Sequence, residues 1–283
     1  MATVLLLGLP GPRSLQAASL TPPTVVSTNL CADLLALSLT SPEQLLSVSW
    51  KSQDPTRSSM AAEAAKYHAN AADAEEIIAL KPDIVLASRA WRRHPQAANF
   101  EALGIRIVVV PLARTWPDIL SVTQWVAEQL GREERGRTLV KETQRRLDKL
   151  EASAKAKSQR SVLYLRPSGG SAGAGSYIDM LLTGAGLGNH ATKLGLEGWG
   201  RLDLEQLLLS PPDLFLLSDY TRDRGHAEGQ LLRHPAMRAI LADRPVLRLP
   251  SNQGSCATWH LINTAEFLAG QLASPLMAQD VGT

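Results

Sequence analysis

The residues of this chain whose types and spacing can do chemistry are its six tryptophans, the arginines near them, two glutamates at matched positions and a pair of cysteines. Aromatic residues are only 5% of the chain, yet most of the tryptophans fall beside segments that read as strand ends rather than on helix faces. Trp50, Trp91, Trp116, Trp199 and Trp259, with Tyr177, Tyr220 and His260, make a set suited to a large, flat, partly apolar ligand, the cluster rather than any one ring carrying the point. Arg89, Arg114 and Arg166 each follow an apolar run, with Ser88 and Ser168 alongside. A forked guanidinium there suits a carboxylate, catecholate or phosphate.

Catalysis is poorly supported by the same residues. The six histidines are dispersed, without the spacing of a zinc or manganese site. Gly169, Gly170, Gly173 and Gly175 form a glycine-rich loop, but Ile178 stands where a dinucleotide fingerprint needs its third glycine. A net charge of +2 with scattered arginines argues against nucleic acid. The competing class is a two-lobed transferase that takes a nucleotide in a similar crevice.

What must position these residues is a segment that occurs twice. DAEEIIALKPDIVLAS, Asp73 to Ser88, matches DLEQLLLSPPDLFLLS, Asp203 to Ser218, without a gap. Both copies are followed by Arg-His-Pro, so the chain reads as two copies of one folding unit with a crevice between them. Asp73 with Glu76 and Asp203 with Gln206 have capping-box spacing, predicting a short helix in each copy. Lys81-Pro82 and Pro211-Pro212 end it, and Ile84–Ala87 and Leu214–Leu217 then read as strands buried on both faces.

Strands also read at Thr24–Ser27, Leu45–Val48, Arg106–Val110, Ser161–Leu165 and Pro245–Leu249, alternating with helices. That order predicts an α/β chain of two Rossmann-like lobes with parallel sheets, whose ligands sit beyond the C-terminal strand ends. Glu133 to Ala156 is the longest helical pattern and lies between the copies. The expected organisation is a first lobe over 20–131, a linking helix over 132–157, a second lobe over 158–273 and a tail over 274–283.

Residues 1–19 resemble an export signal, with an apolar core at Val4–Leu9 and small residues at Ala17-Ala18-Ser19, although the positively charged start is missing; an ordinary leader is the other reading. Export places Cys31 and Cys256 in an oxidising compartment. They are either one disulfide that clamps the lobes or two separate buried thiols.

The capped helix, the K-P-D-I-V-L pattern, the long central helix and the duplicated lobe resemble the periplasmic substrate-binding proteins of ABC importers that carry cobalamin, ferric siderophores or haem. The resemblance covers about Pro23 to Leu272. It implies a monomeric periplasmic binding protein, not an enzyme, that hands its ligand to an ABC permease dimer. By position in the motif, Glu75 and Glu205 are the carboxylates that meet permease arginines. Cobalamin or a ferric siderophore is the expected ligand. Haem is less favoured, because relatives that bind it commonly offer a first-lobe tyrosine, and Ser88 to His94 offers only His94 as an axial ligand.

Overall fold

The computed structural model describes residues 22–93, 95–154, 160–166, 169–218 and 233–273. The first lobe contains β1 (Val25–Ser27), α1 (Leu30–Leu39), β2 (Leu45–Ser49), α2 (Ala61–Ala64), β3 (His68–Asn70), α3 (Ala74–Leu80), β4 (Ile84–Ala87), α4 (Ala97–Ala102) and β5 (Arg106–Val109). Its sheet is parallel, in the order β3-β2-β1-β4-β5. Two helices follow, α5 (Trp116–Gln129) and α6 (Glu133–Ala154). The second lobe contains β6 (Ser161–Leu165), β7 (Gly170–Ala172), α7 (Tyr177–Gly184), β8 (Gly188–Asn189), α8 (His190–Lys193), β9 (Trp199–Arg201), α9 (Leu204–Leu209), β10 (Leu214–Ser218), α10 (Pro235–Ala242), β11 (Val246–Leu249) and α11 (Leu261–Ala273). Its main sheet is parallel, in the order β11-β10-β6-β8, and β7 pairs antiparallel with β9.

The repeated segment folds twice into the same object, and its aspartates explain why. Asp73 caps α3 by accepting from the Glu75 and Glu76 amides at 2.9 and 3.3 Å, and Asp203 caps α9 from the Glu205 amide at 2.9 Å. The aspartate after the proline pins the register of the central strands: Asp83 accepts from the Thr24 amide and Asp213 from the Ser161 amide, each at 2.7 Å. The first capping box does not close on its own N-cap amide as the spacing predicts. Glu76 instead accepts from the Ala71 amide at 3.0 Å and meets His68 at 2.9 Å, because the edge strand β3, unread in the sequence, brings both within reach.

The connector is more than one helix. Trp116 and Ile119 at the start of α5, with Leu147 and Leu150 at the end of α6, pack into the second lobe's core beside Ile178, Leu181 and Leu261. The other ends of the same helices, Val126, Ala127 and Leu139, pack on the first lobe against Leu35, Leu39 and Val48. Each helix is therefore gripped by both lobes. Arg146 of α6 adds a pair with Glu266 of α11 at 2.9 Å.

Candidate functional site

Parallel strands deliver their C-terminal ends to one edge, and in this chain the two lobes join along those edges. The loop after β11 crosses to the first lobe. Asn252 donates to the Pro55 carbonyl at 3.0 Å, Ser251 donates to the Thr56 carbonyl, and Trp259 donates from Nε1 to Ser38 Oγ at 3.1 Å. Cys31, in the first turn of α1, is disulfide-bonded to Cys256 with the Cα atoms 5.3 Å apart. A bridge spanning 225 positions of sequence thus ties the lobes where the strand ends meet.

Beside the bridge lies a cleft of about 310 Å³. Asn29, Ser88, Arg89, Pro111 and Leu112 line it from the first lobe, and Ala257 and Thr258 from the second. A broader groove of about 960 Å³ lies among α1, α2 and the start of α6. Ser38 and Trp259 of the seam line it, but no residue at a strand end does, whereas the smaller cleft is lined by residues that follow β1, β4 and β5 and is the better candidate for a ligand.

Two exposed tryptophans stand at strand ends, one per lobe. Trp50 follows β2, is 48% exposed, and has Lys51 Nζ and the Arg57 guanidinium 5.8 and 5.7 Å from its ring centre. Trp199 lies on β9, is 42% exposed, and carries the Arg166 guanidinium 3.8 Å from its ring centre. Tyr177 is tilted against Trp199 with ring centres 5.5 Å apart, and its hydroxyl donates to the Gly254 carbonyl at 3.0 Å. Tyr164 meets the same indole edge-on at 6.1 Å. Each platform pairs an aromatic face with a cation, a combination that holds a π system and an anionic edge together.

Other residues of the predicted set are placed differently. Trp91 is 6% exposed and packs edge-to-face on Phe100, 5.5 Å between ring centres, in the first lobe's core, and it does not line the cleft between the lobes. Trp116 is likewise core. It presses on Gly184, where an added Cβ would lie 2.6 Å from the indole nitrogen, so the glycine makes room for the ring between the lobes. Arg114 is exposed, and its amide with that of Thr115 is held by the Asp118 carboxylate in a closed capping box, which lowers the pKa of that acid. Ser168 and Tyr220 lie outside the described residues, as do His94, the leader and the tail.

Two groups near the seam, the buried Asp33 and the partly buried His260, have pKa values shifted by their surroundings. Asp33 in α1 is fully buried, and desolvation pushes it up to about 6 against hydrogen bonds from serines, among them Ser49. His260, stacked on Trp259 with ring centres 3.8 Å apart, is pushed down to about 4 by burial and by the nearby Arg146 charge. It therefore stays neutral near pH 7, with Nε2 at the Met60 sulfur.

The glycine-rich loop is not a phosphate cradle. Gly170 to Ala172 form β7, paired with the tryptophan strand, and a Cβ on Gly173 would fall 1.8 Å from the Leu196 carbonyl oxygen. Gly173 serves close backbone approach, and Gly169 and Gly175 supply left-handed backbone at φ 78° and 72°. The letters G-x-S-x-G also occur there, but Ser171 is 1% exposed and donates to the Tyr164 carbonyl, which is no nucleophile elbow. Nothing here supports the nucleotide-transferase reading.

Sequence reasoning missed Arg57, Tyr164 and the Ser251–Asn252 strap. The strap had a signal, the polar run Ser251-Asn252-Gln253-Gly254-Ser255 directly after a strand. The glutamates at matched positions, Glu75 and Glu205, are both exposed in the first turns of α3 and α9. Each helix leads back to the start of a parallel strand, so both carboxylates stand toward the strand-end edge.

Among solved structures, the chain resembles the periplasmic haem-binding protein HutB of Vibrio cholerae, with 20% identity, a TM-score of 0.72, and 89% of this chain and 99% of that one covered. The periplasmic haem-binding protein RhuT of Roseiflexus sp. RS-1 aligns with 20% identity and a TM-score of 0.68 over 88% of this chain and 96% of that one. The periplasmic vitamin B12-binding protein BtuF of Vibrio cholerae aligns with 19% identity and a TM-score of 0.64 over 89% and 97%. At such identities the likeness is one of fold. No curated protein sequence matches the chain significantly. Among the described residues no helix is long and apolar enough to cross a membrane. The model of the periplasmic binding protein family matches residues 25–244, more than three quarters of the sequence, and the chain belongs to that family.

Proposed function

We propose that this protein is the exported binding component of an ABC importer, that it captures a metal chelate of the cobalamin or ferric-siderophore kind between its lobes, and that it delivers the chelate to a two-subunit permease. The observation that carries the reading is the pair of exposed, cation-backed tryptophans, Trp50 and Trp199, one on each lobe at the strand-end edge. A flat or bulky conjugated ligand touching both would bury apolar area on each side while its polar periphery meets Arg57, Arg89 and Arg166. Ser88 and Arg89 lie on the first-lobe wall of the cleft, and Trp259 with His260 closes the seam between lobes.

Delivery needs a surface that a two-fold partner can read twice. Glu75 and Glu205 supply equivalent carboxylates on the two lobes, each in a helix first turn where negative charge is favoured. A family in which solutes are bound and released gives the protein no reaction of its own to perform.

The test is a thermal-shift screen of the purified protein against cyanocobalamin, ferric siderophores, haemin and nucleotides. A chelate at about a hundredfold its dissociation constant stabilises by about 2.7 kcal/mol. Stabilisation by a chelate and not by nucleotides supports the reading. A shift with a nucleotide alone overturns it.

A further inference from the structure

We infer that Met60 is a modification site: a peroxide oxidises its thioether to the sulfoxide, and the sulfoxide breaks a contact that joins the two lobes. The inference goes beyond the proposed function and does not depend on which ligand the protein carries.

Both cysteines are held in the bridge between the lobes, so the chain has no thiol to react first. An oxidant that attacks sulfur therefore meets thioethers. Among the described residues, Met180 is 8% exposed and Met237 0%, each packed in a core of the second lobe. Met60 is half-buried and lines the groove of about 960 Å³ among α1, α2 and the start of α6. Of these three, it is the methionine that a small oxidant reaches from solvent.

The neighbours of its sulfur give the reaction a consequence. The Met60 amide donates to Ser58 Oγ at 3.1 Å and its carbonyl accepts from the Ala64 amide at 2.8 Å, so the backbone at the start of α2 is held on both sides. The sulfur lies 2.9 Å from Nε2 of His260, which directly precedes α11 of the second lobe, and 3.7 Å from the Ser38 hydroxyl. Asn263 Oδ1 accepts from the Arg146 guanidinium at 2.6 Å, which turns the Asn263 amide nitrogen toward His260 Nδ1 at 3.5 Å. Nδ1 is thus the acceptor, and Nε2 carries the hydrogen that faces the sulfur. Trp259 stacks on the same imidazole at 3.8 Å and donates to Ser38 Oγ at 3.1 Å. Thioether, imidazole, indole and hydroxyl form one cluster across the seam.

Hydrogen peroxide transfers one oxygen to such a thioether. The sulfur lone pair attacks the peroxide, the S–O bond forms as the O–O bond breaks, and the departing hydroxide takes the proton of the transferred oxygen and leaves as water. Sulfur is oxidised by two electrons and the peroxide is reduced. The product is polar and larger by one oxygen. With 2.9 Å between sulfur and Nε2 the contact has no room for that oxygen, and the backbone of Met60 is fixed, so the side chain must swing away from the imidazole. The cluster anchors the loop that carries Ala257 and Thr258, which are the second lobe's wall of the cleft. Oxidation at Met60 therefore loosens the seam and reaches the ligand site.

Two experiments on the purified full-length protein test this. The first is peptide mapping after graded hydrogen peroxide at neutral pH. Met60 should gain one oxygen about tenfold faster or more than Met180 and Met237; oxidation of either at the rate of Met60 would overturn the site. The second compares melting and tryptophan emission before and after the same treatment. The oxidised protein should melt about 2–4 °C lower, with changed emission, and methionine sulfoxide reductases A and B together should restore both. Met60→Leu, close in volume, should lose this response to peroxide. Oxidation of Met60 that leaves melting and emission unchanged would overturn the seam effect, and so would a Met60→Leu protein as sensitive as the wild type. Reversal by the reductases is read on the wild type, so the test stands even where the variant folds poorly.

Discussion

The two lobes share their scaffolding and differ in what they present to the crevice. Asp83 on Thr24 and Asp213 on Ser161 pin equivalent strands at the same 2.7 Å, and Asp73 and Asp203 cap equivalent helices. The copies part where the strands end. In the first lobe Trp50 stands on a short helical turn with Lys51 and the Asp54-paired Arg57 more than 5 Å from its ring centre, whereas in the second Trp199 is built into a hairpin beneath a stacked arginine and between two tyrosines. The first platform is open and the second is braced. Residues that set register and caps have the same chemistry in both copies, and the strand-end loops, which the proposed function makes the two halves of one site, differ.

The largest way to disturb this comparison is to uncouple the halves. Replacing Cys31 and Cys256 by Ser removes a bridge closing a very long loop, which should cost about 4–5 kcal/mol if the chain-entropy account holds. Urea unfolding of wild type and variant measures it. The helices α5 and α6, gripped by both lobes, should still keep the lobes together, so solution scattering should show little change in radius of gyration with or without ligand. A large ligand-dependent contraction would show that the connector hinges.

Docking sharpens the comparison from outside. Glu75→Ala and Glu205→Ala should leave ligand affinity nearly unchanged, while each weakens permease binding by about 2–5 kcal/mol if the carboxylate pairs with a desolvated permease arginine. Vesicle transport with ligand affinity measured in parallel separates the two effects. Normal transport by the double variant would remove the docking role, and loss of ligand would turn both carboxylates toward the crevice.

The seam itself should respond to pH through two opposed groups. Asp33 is raised from 3.8 to about 6 on folding, so its contribution to stability is present in acid and is lost as pH rises from about 4 to 6. His260 is lowered from 6.5 to about 4, so its contribution is present above pH 6.5 and is lost as pH falls toward 4. Each shift corresponds to about 3 kcal/mol, and over the shared window they nearly cancel. Asp33→Asn should therefore make the protein markedly less stable at pH 4.5 than at pH 7, with buried His190, also lowered, acting in the same direction as His260. His260→Gln should reverse the slope. Melting temperatures of the three proteins from pH 4 to 7 decide this, and parallel curves would mean that neither group titrates as its burial implies.

Much of this architecture was legible in the sequence because it rests on local chemistry. Pro82 and Pro212 stop helices, Asp73 and Asp203 start them, and the apolar runs between can only be buried strands. The β7–β9 hairpin was not legible. Gly170-Ser171-Ala172 has no apolar alternation, and its pairing with Trp199-Gly200-Arg201 depends on a partner about thirty residues away. The tryptophans divided for a related reason. Nothing local to Trp91 or Trp116 distinguishes a ring that caps a core from one that awaits a ligand; Phe100 and Gly184, which decide it, come from other elements. The pairing of Cys31 with Cys256 likewise needed a distance that only the folded chain supplies.

The central claim is that one ligand is held by a half-site from each lobe, and titration of tryptophan fluorescence with the chelate that stabilises the protein tests it most directly. The account predicts saturable quenching at one chelate per chain, with Trp199→Ala and Trp50→Ala each weakening binding by about 1–3 kcal/mol while both variants still fold. The braced platform should matter more than the open one. Undiminished affinity in both variants would contradict the account, and would place the ligand outside the crevice that the two strand-end edges enclose.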